Sequence, residues 1–120
     1  VRATDLQQAL NQLQDTQADY VFSATTFPFP IQRAVRLDEA GRVAMFYPEY
    51  ASTRSQDLEE AFHDAGQFYW GTAEAWLDSR PLFSSSSSLY LLPRSRVQDI
   101  DTSEDWARAE LMFQALGHGQ

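Results

Sequence analysis

One short apolar run, Tyr20 to Thr25, restricts the possible fold more than any other part of the chain. It is apolar on both faces and rich in strand-forming residues, a pattern typical of a central strand in a covered sheet. It follows a predicted amphipathic helix, Thr4 to about Gln17, with leucines at helical spacing and a capping box formed by Thr4 and Gln7. A helix followed by a buried strand is half of a βαβ unit. We therefore expect an α/β fold in which the chain begins after the first strand.

A second segment, about residues 28–50, departs from this pattern. Prolines at positions 28 and 30 interrupt regular structure, and in the stretch after them the odd positions Ile31, Arg33, Val35 and Leu37 alternate with the even positions Gln32, Ala34 and Arg36. Asp38 to Gly41 has the composition of a turn, and Val43 to Phe46 is a second short apolar run. These features predict an antiparallel β-hairpin with a four-residue loop. A hairpin inserted into an α/β chain commonly covers a site or meets another subunit.

The remaining segments return to alternating strands and helices, so residues 1–120 are interpreted as a single domain. A serine run over residues 84–88 is interpreted as a flexible loop. The last helix is expected to bury a stripe of Trp106, Ala109, Phe113 and Leu116. The predicted strands are Gln67–Trp70, Leu89–Leu92 and about Arg96–Asp101, and the predicted helices are Thr72–Leu77 and about Ser103–Leu116.

Charge and composition exclude several classes of function. The net charge of −8 argues against nucleic-acid binding, which needs a basic face. No apolar run approaches the roughly 20 residues of a membrane span. Cysteine is absent, which excludes disulfides and thiolate metal sites and is in keeping with a cytoplasmic protein. All basic residues are arginine, whereas enzymes that use a triphosphate usually place a lysine on its phosphates. The chain also has no glycine-rich phosphate loop.

Asp99 and Asp101 flank Ile100 at the predicted end of the last strand. Strand alternation would place both carboxylates on one face, where they need a cation, protons or hydrogen-bond donors. Thr102 is a candidate N-cap for the next helix, with Asp105 completing a shortened capping box. The two aspartates could simply be surface residues at the strand end, with one of them interacting favourably with the helix N-terminus. Alternatively it could hold Mg²⁺ against substrate phosphates, because ligands of open α/β sheets bind at strand ends.

Two further stretches contain candidate ligand-binding side chains. Arg54 could donate two parallel hydrogen bonds to a carboxylate, and the side-chain amide of Gln56 could both donate to and accept from a sugar or a carboxylate. A solvated surface explains the same polar residues equally well. In the aromatic strand, alternation places Phe68 and Trp70 on one face and Tyr69 on the other. Tyr69 could then present its hydroxyl to a ligand.

Long motifs in the chain resemble the acylneuraminate cytidylyltransferases, and most closely the branch that activates pseudaminic acid. The motifs are "PFPIQRAVRLDEAGRV" (28–43), "TRSQDLEEAFHDAGQFYWG" (53–71) and "LPRSRVQDIDTSEDWARAE" (92–110). The resemblance implies a Rossmann-like nucleotide-sugar transferase fold in which the hairpin arm, about residues 28–50, forms a homodimer. It also implies that CTP and a nonulosonic acid are the substrates, that pyrophosphate is released, and that Mg²⁺ is required.

The same resemblance implies roles for individual residues. In the family, the aspartates of the "DID" motif hold the metal. The resemblance implies the same role for Asp99 and Asp101. Sialic-acid relatives place an Arg-Arg-Gln-Asp stretch, and a tyrosine thirteen residues after its glutamine, in the sugar pocket. Arg54, Gln56 and Tyr69 occupy these positions here. No residue is assigned a role in catalysis beyond binding.

Three departures from the family pattern refine the expectation. Ser55 replaces the second arginine, and Ala65 and Gln67 replace residues near the sugar substituents, which makes Gln67 a fourth candidate for the sugar pocket and favours pseudaminic acid over sialic acid. The family's phosphate-holding loop has no counterpart. We therefore expect a C-terminal portion of the enzyme that is inactive by itself. A sialic-acid enzyme and a non-catalytic dimerisation module are the alternatives.

Overall fold

A computed structural model describes residues 1–117 as two compact units. The first unit contains Val1–Thr25 and the described residues from Asp64 onward, and the second contains Thr26–His63. None of the helices in residues 1–117 is long and apolar enough to cross a membrane. The helices are α1 (Ala3–Thr16), α2 (Ala73–Leu77) and α3 (Ser103–Ala115); the strands are β1 (Tyr20–Thr26), β2 (Val35–Leu37), β3 (Val43–Met45), β4 (Phe62–Gly71) and β5 (Ser87–Leu91); and short 3₁₀ turns span Ile31–Arg33, Pro48–Tyr50, Ser55–Asp57 and Arg94–Arg96.

β1 is the centre of the first unit, as its apolar run predicts. It lies between β4 and β5, and it pairs in parallel with β5 in a register that aligns Tyr20 with Ser87. Six of its seven residues are buried. Val21 packs against Ala9 and Leu13 of α1, which therefore covers one face of the sheet. The mixed architecture confirms the predicted α/β class.

The start of β1 is held by α2 and the loop after it. The Tyr20 hydroxyl lies 2.8 Å from the carbonyl oxygen of Arg80 and 3.1 Å from that of Ala75. Its ring meets Trp76 edge-to-face at 4.8 Å. β4 ends at Gly71 beside these rings, where a Cβ atom would lie only 2.5 Å from the Trp76 indole. Thr72 caps α2 by accepting the amide hydrogen of Ala75 (3.1 Å), which confirms the predicted cap.

The predicted cap of α1 is wrong. Thr4 lies inside the helix, and the backbone N–H of Arg2 instead donates to Asp5 Oδ2 at 3.0 Å. A carboxylate in the first turn accepts one of the unpaired amide hydrogens there and also interacts favourably with the helix dipole. Asp5 satisfies both requirements, so the helix begins one residue earlier than the Thr4 pattern indicates.

The predicted hairpin is present in the second unit, but its first strand is shorter. β2 and β3 pair antiparallel, with Val35 opposite Met45, whereas Ile31–Arg33 form a 3₁₀ turn. Asp38 Oδ1 accepts the amide hydrogens of Ala40 and Arg42, both at 2.9 Å, and so closes the turn. Prolines before the segment favour the irregular start, because each lacks an amide hydrogen for a strand ladder.

Three elements from β4 onward differ from the predictions. β4 extends from Phe62, five residues before the predicted start, and β5 takes in Ser87 and Ser88 from the serine run. The predicted strand over Arg96–Asp101 is absent: a 3₁₀ turn ends at Arg96, and residues 97–101 are irregular. The amide hydrogens of Arg96 and Val97 donate within that turn to Pro93 and Arg94, which removes them from any strand ladder.

The predicted buried stripe of α3 is also wrong for the described residues. Trp106 is 58% exposed and Phe113 is 50% exposed, while Ala109 and Leu116 are half-buried. The 3.6-residue spacing correctly indicates that one face of the helix is apolar. It carries no information on which segment covers that face.

Candidate functional site

The two candidate metal ligands lie in the irregular segment that precedes α3, residues 97–101, which we call the aspartate segment. Asp99, Ile100 and Asp101 are all exposed. Because the segment is not a strand, alternation no longer explains why the two carboxylates would share a face. Neither carboxylate forms a hydrogen bond or ion pair with any other residue in the described part of the chain. Both are therefore available to a ligand.

The end of the aspartate segment is fixed by the N-terminus of α3. Thr102 Oγ1 accepts the amide hydrogen of Asp105 at 3.1 Å, which confirms Thr102 as the N-cap. In return Asp105 Oδ2 accepts the amide hydrogen of Asp101, also at 3.1 Å. This second bond reaches one residue further back than in a standard capping box. It holds the pKa of Asp105 below its usual range and fixes the backbone of Asp101.

The start of the aspartate segment is fixed by a buried ion pair. The guanidinium of Arg96 donates to Asp5 of α1 through two bonds, Nη1 to Oδ2 at 2.8 Å and Nη2 to Oδ1 at 3.3 Å. The Tyr90 hydroxyl lies 3.0 Å from the same carboxylate, which is 4% exposed. The Arg96 hydrogen bond, more than any other contact, lowers the pKa of Asp5 to about 2.

Sequence reasoning did not identify this ion pair. Arg96 and Asp5 are 91 residues apart in the chain, and neither belongs to a motif that indicates a partner. The only local signal is the placement of Asp5 in the first turn of α1, where a carboxylate is favourable whether or not it has a cationic partner.

Tyr69 lies on the face of β4 that alternation predicts. Phe68 and Trp70 pack towards the core against α1, whereas the Tyr69 ring lies 6.0 Å from that of Phe22. Its hydroxyl donates to Asp64 Oδ2 at 2.5 Å, and this bond raises the pKa of Tyr69 to about 12. Because the hydroxyl proton is committed to Asp64, the phenolic oxygen can offer a ligand only its lone pairs.

Gln67 links β4 to the start of the aspartate segment. Its side-chain amide Nε2 donates to the carbonyl oxygen of Arg96 at 2.8 Å. Its backbone amide hydrogen donates to Ser23 Oγ of the central strand at 3.1 Å. One of the polar groups that the sequence assigns to a sugar pocket therefore contacts the residue immediately before the aspartate segment.

Arg54 and Gln56 belong to the second unit. Gln56 lies in the 3₁₀ turn Ser55–Asp57, and Arg54 immediately precedes that turn. Both side chains are exposed, and neither takes part in a hydrogen bond or ion pair among residues 1–117. The six predicted site residues are thus divided between the units, with Gln67, Tyr69, Asp99 and Asp101 in the first.

The donor set of the aspartate segment fits a Mg²⁺ ion that arrives with a substrate. Residues 1–117 hold no cluster of three or more His, Cys, Asp or Glu side chains that could coordinate a metal by themselves. Mg²⁺, however, commonly takes one or two protein carboxylates and completes its shell with water and substrate phosphates. Two exposed carboxylates satisfy that requirement.

Comparisons with known proteins identify close relatives of the chain. It is 44% identical over 108 residues to the pseudaminic acid cytidylyltransferases of two Campylobacter jejuni strains, a match that covers 90% of this chain and 47% of each relative. It is 40% identical over 93 residues to a Helicobacter pylori protein named pseudaminic acid cytidylyltransferase and UDP-2,4-diacetamido-2,4,6-trideoxy-beta-L-altropyranose hydrolase, covering 78% of this chain and 17% of that protein. No family model matches the chain. The chain spans about half the length of the curated C. jejuni relatives.

Proposed function

Because the chain belongs to the pseudaminic acid cytidylyltransferase family, of whose C. jejuni members it matches 47%, we propose that the protein carrying it activates pseudaminic acid by transferring CMP from CTP, with release of pyrophosphate. The observation that supports this most strongly is the extent of the similarity. A match of 108 residues leaves only twelve of the 120 outside it, so a continuous match includes every candidate site residue between positions 54 and 101.

The proposed reaction is a nucleotidyl transfer. The anomeric hydroxyl of the sugar forms a bond to the α-phosphorus of CTP and loses its proton, and the bond from that phosphorus to pyrophosphate breaks. When bound, Mg²⁺ would neutralise the triphosphate and stabilise the charge that develops at the α-phosphate. Asp99 and Asp101 would hold the metal through carboxylates that no other described residue uses.

We assign sugar recognition to Arg54, Gln56, Tyr69 and Gln67. Arg54 supplies a forked cation suited to the carboxylate of a nonulosonic acid. Gln56 offers an amide that both donates and accepts. The Tyr69 hydroxyl, which donates to Asp64, accepts an N–H or O–H of the sugar. Gln67 still has a carbonyl oxygen and a second amide hydrogen for the sugar while it donates to Arg96.

We further propose that the units belong to a Rossmann-like fold and that the arm, about residues 28–50, joins two copies of the protein in a homodimer. The β2–β3 hairpin supports this, because Val35, Leu37 and Val43 expose more than half of their surface and exposed apolar patches commonly mark interfaces. The 120-residue chain alone is expected to be inactive, because it supplies no lysine or phosphate loop for CTP. A non-catalytic dimerisation module remains the alternative for the isolated chain.

The choice of sugar provides the test of this proposal. With CTP and Mg²⁺, we expect the protein carrying this chain to form the CMP-sugar from pseudaminic acid with a kcat/KM on the order of 10²-fold above that for N-acetylneuraminic acid, a sialic acid, because the pocket's hydrogen-bonding groups would be left unpaired by the wrong sugar. Chromatography of the CMP-sugar product measures both rates, and a reaction without sugar is the control. Equal or better use of N-acetylneuraminic acid would identify a sialic-acid enzyme instead.

A further inference from the structure

We infer that Arg96 is a positioning residue for Asp99 and Asp101: its ion pair with Asp5 fixes the start of the aspartate segment relative to the core of the first unit. The inference depends on the metal role proposed for the two aspartates. It assigns a function to a residue that neither ligates the metal nor contacts the sugar.

Arg96 is held at three points. Its guanidinium is bidentate to Asp5, its carbonyl oxygen accepts the side-chain amide of Gln67 at 2.8 Å, and its own amide hydrogen donates to Pro93 at 3.0 Å. Only 17% of its side chain is exposed. The residue that immediately precedes the aspartate segment is therefore oriented by α1 and β4 together.

The partner of Arg96 is itself fixed. Asp5 accepts a hydrogen bond from the backbone of Arg2 at 3.0 Å, and the hydroxyl of Tyr90 in β5 lies 3.0 Å from its other oxygen. Asp5 belongs to α1, whose Ala9 and Leu13 pack on the central strand. The ion pair thus connects the aspartate segment directly to the buried core.

Packing beside the aspartate segment is incomplete. A cavity of about 300 Å³, lined in part by Arg96, Gln98 and Met112, lies between the segment and α3. The segment also belongs to no strand, so it has no ladder of backbone hydrogen bonds. In the described part of the chain, its hydrogen bonds lie at its two ends, where the amide hydrogen of Val97 donates to Arg94 and that of Asp101 donates to Asp105.

This arrangement predicts that Arg96 controls metal affinity. In the protein carrying this chain, Arg96→Met should weaken Mn²⁺ binding in the presence of CTP by about 10- to 100-fold, the usual effect of removing a group that orients metal ligands. Arg96→Lys keeps the positive charge but cannot form both hydrogen bonds to Asp5, so its Mn²⁺ affinity should fall less than that of Arg96→Met. Electron paramagnetic resonance of the bound Mn²⁺ measures the affinity independently of turnover, and the Mg²⁺ concentration for half-maximal turnover should rise in parallel.

Arg80→Met is the matched control, because Arg80 forms ion pairs with Asp19 and Asp78 in the same unit and, among the described residues, none with the aspartate segment. Its Mn²⁺ affinity should equal that of the wild type. A folded Arg96→Met variant that binds Mn²⁺ as tightly as the wild type overturns the inference alone. If that variant fails to fold, Arg96→Lys carries the test with the same two outcomes. Wild-type protein that binds no Mn²⁺ with CTP overturns the proposed function, and the inference with it.

Discussion

Replacing Asp101 with asparagine is expected to lower Mg²⁺-dependent CMP transfer on the order of 10³-fold, because the substitution removes a charge that, in the proposed function, holds the metal against the triphosphate. Asparagine has nearly the same size as aspartate, and the bond from residue 101 to Asp105 uses the backbone amide hydrogen. The cap of α3 and the path of the aspartate segment should therefore survive the change. Asp99→Asn should have an effect in the same direction. Initial rates measured across a range of Mg²⁺ concentrations give the size of each loss.

Asp15→Asn is the control for both substitutions. Asp15 is exposed on α1, and its carboxylate forms no hydrogen bond or ion pair with the described residues, so the variant makes the same change in charge without touching the aspartate segment. Its rate should match that of the wild type. If Asp101→Asn keeps both the wild-type rate and the wild-type Mg²⁺ requirement, the metal role assigned to Asp101 is wrong.

The second large effect is expected in stability and concerns Asp5. Its pKa falls from 3.8 to about 2 on folding, with the hydrogen bond from Arg96 as the main cause. A lowered pKa in the folded state means that the unfolded state binds more protons at low pH, so the stabilisation is complete above about pH 5 and is lost as the pH falls towards 2. The shift corresponds to about 2 kcal/mol of unfolding free energy at neutral pH.

Urea unfolding of the wild type and of Asp5→Asn at pH 7, 4 and 2.5 checks this prediction. The variant should be less stable than the wild type at pH 7 by at least that amount, because it leaves the largely buried guanidinium of Arg96 without a charge partner. The difference should shrink steadily towards pH 2.5. Asp15→Asn again serves as the matched control. A difference between wild type and Asp5→Asn that is the same at every pH would show that the ion pair does not lower the pKa of Asp5.

Most of the fold elements that were predicted correctly rest on local signals, although the local cap signal at Thr4 was wrong. The apolar run of β1, the turn residues of the hairpin and the cap residues Thr72 and Thr102 each determine the structure of their own neighbourhood, and all are found as predicted. The prediction of a strand over Arg96–Asp101 was wrong because alternation of side chains leads to a strand only where a neighbouring strand forms backbone hydrogen bonds with the segment. The amide hydrogens of Arg96 and Val97 are used in a turn instead, and that of Asp101 in a helix cap.

The candidate site could be predicted only in part, for a related reason. The motifs around Tyr69 and Asp101 indicated the family, which the comparisons confirm, and Tyr69 does lie on the face of β4 opposite Phe68. The contacts that orient these groups, Asp64 with Tyr69 and Asp5 with Arg96, connect side chains that no motif pairs. The roles of the six site residues in metal and sugar binding stay predictions.

The most direct test of the proposed function follows the phosphorus atoms of CTP. The protein carrying this chain is incubated with pseudaminic acid, Mg²⁺ and CTP labelled at either the α- or the γ-phosphorus. The account predicts that the α-label appears in the sugar nucleotide, that the γ-label appears in pyrophosphate in equal amount, and that both transfers require the sugar. Transfer of the γ-label to the sugar, or release of pyrophosphate without a labelled sugar product, would contradict it.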